Sequence, residues 1–219
     1  MIVRETNLPG LLIIEPRVFA DARGWFMETY QAVQLATAGI PHAFVQDNHS
    51  LSHRGVLRGL HYQIQHPQGK LVRAVRGEIF DVAVDLRRSS PTFGQWFGTQ
   101  ISADNRRQIY LPAGFAHGFL AITTSAEVLY KCTDLYHPQH ERTLLWNDPA
   151  IGITWPLAEV LLLSEKDRQG KLLSEAECFH ADSESEGQTA DAQTAHSATI
   201  VKAPHFPLGN TAINLSQTR

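Results

Sequence analysis

From Leu11 onward the apolar residues of this chain come in short runs, many alternating with polar neighbours, and Gly, Pro, Asp and Asn cut between them. Alternation marks a strand with one buried face, and punctuation this dense leaves little room for long helices. The strands expected on this basis are residues 11–15, 25–29, 44–50, 56–63, 70–76, 78–85, 95–101, 108–111, 118–122, 126–133 and 142–145. One internal stretch, 30–38, has helical spacing, and Gly39 and Pro41 end it. Arg76-Gly77-Glu78 is a tight connection, so residues 70–86 are expected to form a hairpin or a sharply bent pair. A chain with this many strands favours a barrel or jelly roll, and the expected class is mainly β with a few short helices.

The 219 residues, 43% of them hydrophobic, suffice for one substantial core, and residues 1–179 read as one domain. Beyond Phe179 the composition turns to Ser, Thr, Gln, Ala and Gly with scattered charge. Residues 180–219 therefore read as a disordered extension, with an accessory binding segment as the alternative. The balance of 19 basic and 22 acidic residues gives no excess for holding a polyanion, so no nucleic-acid partner is expected, while a small anionic ligand stays open. No apolar run approaches the roughly 20 residues needed to span a bilayer, and the start lacks a signal-peptide pattern. No membrane association and a cytoplasmic location are the expectations. Cys132 and Cys178 lie far apart without metal-ligand or redox spacing, which suits a reducing compartment, and neither looks catalytic.

Gly55 with His61, and later the run PAGFAH at 112–117, resemble the two halves of the cupin signature. Metal-binding cupins add a second histidine and a glutamate in the first half, because a divalent ion needs several N and O ligands converging from adjacent strands. Here Gln63 holds the histidine's place, and Lys70 stands near the carboxylate's place with a charge that repels a cation. A cupin-type jelly-roll barrel with no metal and no cofactor follows.

Alternation puts His61 and Gln63 on one strand face, and only His61 can serve there as a base. Histidine suits proton removal near neutral pH, especially with a carboxylate fixing its tautomer, although a lone histidine is as readily structural. Lys70 follows the Gln68-Gly69 turn. If alternation aims it inward, it can stabilise an enolate oxyanion; the bland reading is a solvated edge lysine. Tyr130 sits among apolar neighbours and by pattern alone is a core tyrosine.

The runs FADARG at 19–24, FVQDNHS at 44–50, VLRGLHYQ at 56–63, QGKLVR at 68–73 and GEIFDVAVD at 77–85 carry a wider resemblance. So do SPTFG at 90–94, PAGFAHGF at 112–119, LWND at 145–148 and LSEKD at 163–167. Over residues 1–178 the chain resembles the dTDP-4-dehydrorhamnose 3,5-epimerase family. The resemblance implies that His61 is the base, backed by Asp167, and that Tyr130 is the acid; Asp81 is a weaker second candidate for the carboxylate behind His61. It further implies that Lys70 faces the sugar ketone, that Arg58 and Arg23 meet the diphosphate, and that Tyr136 stacks on the nucleobase. Glu28, Gln46, Asp47, Asn48, His117, Glu141 and Lys166 match further substrate-binding positions. In the family Arg23 and Glu28 come from the partner subunit, so a homodimer with shared sites is implied.

The implied activity inverts C3 and C5 of dTDP-4-dehydro-6-deoxy-D-glucose to give dTDP-4-dehydro-L-rhamnose, in dTDP-rhamnose biosynthesis. A relative acting on one centre of another dTDP-4-keto-deoxysugar is the nearest alternative. A metal-dependent cupin oxygenase or isomerase is opposed by Gln63 and Lys70, and a non-catalytic sugar-binding cupin by the joint presence of His61, Tyr130 and Lys70. Two stretches depart from the family pattern: residues 64–67, and the tail after Cys178.

Overall fold

The structure, a computed structural model, describes residues 1–157 and 162–180. Its strands are β1 (Ile2–Glu5), β2 (Leu12–Glu15), β3 (Val18–Asp21), β4 (Gly24–Met27), β5 (Gln46–His53), β6 (Leu57–Gln63) and β7 (Lys70–Arg76). They continue with β8 (Glu78–Asp85), β9 (Trp96–Ser102), β10 (Gln108–Leu111), β11 (Phe115–Ala121), β12 (Ser125–Cys132) and β13 (Glu141–Thr143). Two short helices, α1 (Ala32–Thr37) and α2 (Glu165–Arg168), complete the elements that matter here. The expected strands are all present within a few residues. β1, β3 and α2 were not anticipated; β1 and β3 are exposed along most of their length and so show no buried period. The expected disordered extension lies outside the described residues, apart from His180.

Two antiparallel sheets form the jelly roll: one ordered β1-β2-β10-β7-β12-β5, the other β13-β6-β11-β8-β9. Alternation turns Val72, Ala74, Ile109, Leu111, Ala126 and Val128 of the first sheet toward Ile79, Ala83, Ile101, Phe115, Phe119 and Ala121 of the second. These side chains are the inter-sheet core, as in other face-to-face sheet packings. The outer face of the second sheet is covered as well, because Leu60, Tyr62, Val82 and Val84 pack against Ile151, Ala176, Cys178 and Phe179. That explains why β11 is buried along its whole length. On the outer face of the first sheet, Leu35 of α1 and Ile40 cover Ile14, Leu71 and Tyr110.

The connection at residues 70–86 is not a hairpin. β7 and β8 belong to different sheets, so Gly77 is the corner where the chain crosses from one to the other. Gly77 has φ 65°, and a Cβ there would collide with Ser125 O and Thr123 Oγ1. The sharply bent alternative is therefore the correct one, and only glycine fits the corner.

Candidate active site

One end of the jelly roll opens into a cleft of about 830 Å³. That is within the range of roughly 300–1,000 Å³ typical of small-molecule sites. Its walls come from both sheets and from the segment entering α2. From β6 come Arg58, His61 and Gln63; from β5, Gln46, Asn48 and Ser50; from β7, Lys70; from β11, His117. Tyr130 and Cys132 of β12 join them, with Tyr136, Glu141, Lys166 and Asp167.

Strict alternation would turn Arg58 away from His61, yet both line the cleft. The pairing of β6 with β11 explains this. His117 faces His61 and Phe119 faces Arg58, so β6 has one residue more than β11 across this step. This β-bulge reverses the parity of β6 and brings Arg58 round to the side of His61. Two glycines permit it: Gly59 has φ 124°, and a Cβ on it would lie 2.5 Å from Gly118 Cα.

His61 Nε2 meets Asp167 Oδ1 at 2.5 Å. Asp167 is 3% exposed and sits in α2, where Ser164 accepts a hydrogen bond from its backbone N–H. Burial pushes the Asp167 carboxyl up, but the His61 bond and charge, Ser164 and Lys166 bring it below its ordinary value. The carboxylate therefore stays ionised and holds the imidazole from behind. The weaker candidate, Asp81, pairs instead with His117, Nε2 to Oδ2 at 2.9 Å, and both are buried.

Lys70 is 8% exposed and donates from Nζ to His61 O at 3.3 Å, so it faces the interior and not solvent. Burial pushes its pKa down, opposed by Cys132, Glu141 and Asp81. Tyr130 lies on the same face of β12 as Val128 and Cys132; burial raises its pKa, with Cys132 and Glu141 adding to the effect and Arg58 opposing it. Its hydroxyl accordingly keeps its proton at neutral pH. Cys132, passed over on spacing, is a buried wall of the cleft beside these two groups, a placement that only the strand pairing could reveal.

Gln63 has a structural task. It is 4% exposed, its Nε2 donates to His66 O at 2.7 Å and Leu135 O at 3.2 Å, and its Oε1 accepts from His137 N at 2.7 Å. At the cleft mouth Tyr136 donates from its hydroxyl to Glu141 at 2.8 Å, and Lys166 holds the other Glu141 oxygen at 2.8 Å. Gln46 accepts from Tyr136 N at 2.8 Å and donates to Asn48 at 3.1 Å. Arg58 is steadied by Ser52 Oγ at 2.9 Å and Leu51 O at 3.2 Å.

Three expected positions fall elsewhere. Asp47 lies between Gln46 and Asn48 on β5, so the pleat turns it to the outer face, where Lys131 pairs with it at 2.8 Å. It does not line this cleft. Arg23 sits in the turn of the separate β3–β4 hairpin, paired with Asp21 at 2.6 Å, and Glu28 accepts from Gln34 at 3.0 Å. Neither lines the cleft of its own subunit.

Residues 5–175 match the family described as dTDP-4-dehydrorhamnose 3,5-epimerase. The chain belongs to the dTDP-4-dehydrorhamnose 3,5-epimerase family. Its fold class is that family's cupin-like jelly roll, and it is an isomerase. It is 61% identical over 173 residues to the dTDP-4-dehydrorhamnose 3,5-epimerase of Pseudomonas aeruginosa, covering 78% of this chain and 96% of that protein. A crystal structure of the 3,5-epimerase of Legionella pneumophila in complex with dTDP-4-keto-L-rhamnose superimposes with a TM-score of 0.79. Identity there is 50%, over 80% of this chain and 94% of the other. A 3'-monoepimerase of Streptomyces bikiniensis in complex with dTDP-quinovose is also similar, at 36% identity, TM-score 0.73, over 77% and 86% of the two chains.

Proposed function

We propose that the chain inverts C3 and C5 of dTDP-4-dehydro-6-deoxy-D-glucose to give dTDP-4-dehydro-L-rhamnose, a step of dTDP-rhamnose biosynthesis. The observation that carries this reading is the convergence of an Asp167-backed His61, a buried Lys70 and Tyr130 on one cleft. Protons on C3 and C5 flank the C4 ketone and become removable once an enolate can form. His61 takes a proton from carbon, and the bonding pair moves into the enolate with charge on the C4 oxygen. The Lys70 ammonium stabilises that oxyanion inside a site shielded from bulk water. Tyr130 then gives its proton to the opposite face of the same carbon, the ketone re-forms, and proton exchange with solvent resets both side chains.

Arg58, with a planar fork of donors and a permanent charge, suits the diphosphate, and the exposed ring of Tyr136 suits a nucleobase. Arg23 and Glu28 act in the cleft of a second subunit. Their hairpin stands apart from its own cleft and exposes Phe19, Trp25 and Phe26, the last 68% exposed, which favours burial against a partner in a homodimer. No nucleic acid or membrane takes part. Among the described residues no helix is long and apolar enough to cross a membrane, and the two free cysteines suit the cytoplasm.

Proton NMR of the keto sugar incubated with the protein in heavy water tests the reaction. Deuterium at both C3 and C5 is the expected result. Label at one carbon only assigns the chain to the single-centre epimerases, and no label overturns the reading.

A further inference from the structure

Beside the cleft, on the far side of Gln63, is a second cluster that the epimerase chemistry leaves unused. His66, Asp134 and His137 each offer a ligand atom, and these atoms all lie within 4.8 Å of one another. His66 Nδ1 and Asp134 Oδ2 are 3.4 Å apart. Zinc bound at roughly 2.0–2.1 Å with a tetrahedral angle separates two ligating atoms by about 3.3 Å. One edge of a tetrahedral site is thus already at the required spacing. A third imidazole is close: the ring centre of His140 is 5.7 Å from that of His66 and 6.1 Å from that of His137.

The backbone under this cluster is fixed from within. The buried amide of Gln63 holds the carbonyls of His66 and Leu135 and the N–H of His137, so one side chain sets the position of two of the three ligand residues. Gln68 donates to Asp134 O at 2.9 Å, and Asp134 Oδ1 accepts from Leu135 N at 2.7 Å, which leaves Oδ2 to face the histidines. His66 has φ 53°, in the left-handed region that few non-glycine residues occupy, histidine among those that enter it more often. The imidazoles of His66 and His137 stack with their centres 4.2 Å apart, so a shared ion requires one ring to turn about its Cα–Cβ bond until both nitrogens point at it.

We propose that His66, Asp134 and His137 form a site for a divalent transition ion of the zinc class, with His140 or water completing the coordination. Two imidazoles and a carboxylate select such borderline ions over magnesium or calcium, which favour all-oxygen sites. The ion ties the loop leading into Lys70 to the segment that carries Tyr136 and Glu141, and so braces both sides of the cleft mouth.

Calorimetric titration of Zn2+ into the untagged, chelator-stripped full chain tests this, run on the wild type and on His66→Gln, His137→Gln and His61→Asn. The expected result is a single ion per chain in the wild type and in His61→Asn, with affinity at least tenfold weaker in the other two. Undiminished affinity in His66→Gln and His137→Gln, loss in His61→Asn alone, or no binding in the wild type overturns the proposal. The Co2+ form of the wild type gives a reading that depends on no variant. Intense visible bands of a tetrahedral centre support the site, and the pale spectrum of a six-coordinate aqua ion contradicts it.

Discussion

His61 Nε2 and Asp167 Oδ1 stand 2.5 Å apart although 106 residues separate them in the chain. The jelly roll supplies one partner from an inner strand and the other from a helical turn that closes over the end of the barrel. Asp167→Asn keeps the volume, removes the charge and offers the imidazole an amide in its place. Steady-state kinetics should show kcat falling by on the order of 10²–10⁴-fold with KM changed only a few-fold.

Lys70 separates chemistry from stability. Losing its ammonium removes the stabilisation of the enolate oxygen, so Lys70→Met should lower kcat by roughly 10²–10³-fold. Burial lowers the folded pKa of Lys70, so the folded state holds this proton less tightly than the unfolded one. Charging therefore costs the fold free energy at every pH below the unfolded value of about 10.4. Urea unfolding at pH 7 should find Lys70→Met at least as stable as the wild type.

The bulge at Gly59 makes a sharper structural prediction. Gly59→Ala places a Cβ against Gly118 and forces φ 124° on a residue that avoids it. A loss on the order of 3 kcal/mol in urea unfolding is expected. Because the bulge is what turns Arg58 into the cleft, KM should rise more than tenfold in whatever fraction folds.

Asp85 contributes to acid sensitivity. It is buried and accepts from Arg87 at 2.8 and 2.9 Å, from Ser90 at 2.6 Å and from Thr92 at 2.7 Å. Burial pushes its carboxyl up, and these bonds bring it below its ordinary value. Its contribution is therefore full above the unfolded pKa of about 3.9 and is lost as pH falls through the lower folded value. Asp85→Asn should cost about 3 kcal/mol at neutral pH, with the gap to the wild type narrowing as the pH drops below about 4. Urea titrations across that range check both statements.

Shared sites predict complementation. A homodimer whose cleft takes Arg23 from the partner subunit contains one intact site when Arg23→Ala and His61→Asn chains combine. Random re-association of two inactive variants in equal amounts should restore about a quarter of wild-type activity. No recovery after verified exchange of subunits would show that each cleft is complete within one chain.

Much of this fold is written in the spacing of apolar residues, and the reason is physical. A strand with one buried face must alternate, so the strands from Leu12 onward stood out, whereas β3 at Val18–Asp21 is exposed along most of its length and has no buried period to show. The site was legible where a motif held it, as at His61 and Lys70, and illegible where the pleat or long-range pairing decides. Asp47 shares a run with Gln46 and Asn48 yet faces the other way. Arg58 has the wrong parity and reaches the cleft through a bulge that no count of residues reveals. Cys132 and the His66, Asp134 and His137 cluster depend on which strands and loops become neighbours, information that composition and local spacing do not contain.

In the proposed reaction His61 removes the proton and Tyr130 returns one from the opposite face. Proton NMR in heavy water on His61→Asn and Tyr130→Phe, with the keto sugar as substrate, tests it most directly. No deuterium is expected at C3 or C5 with His61→Asn, and with Tyr130→Phe the rate of exchange should exceed the rate of inverted product. Full exchange and full inversion in both variants would contradict it.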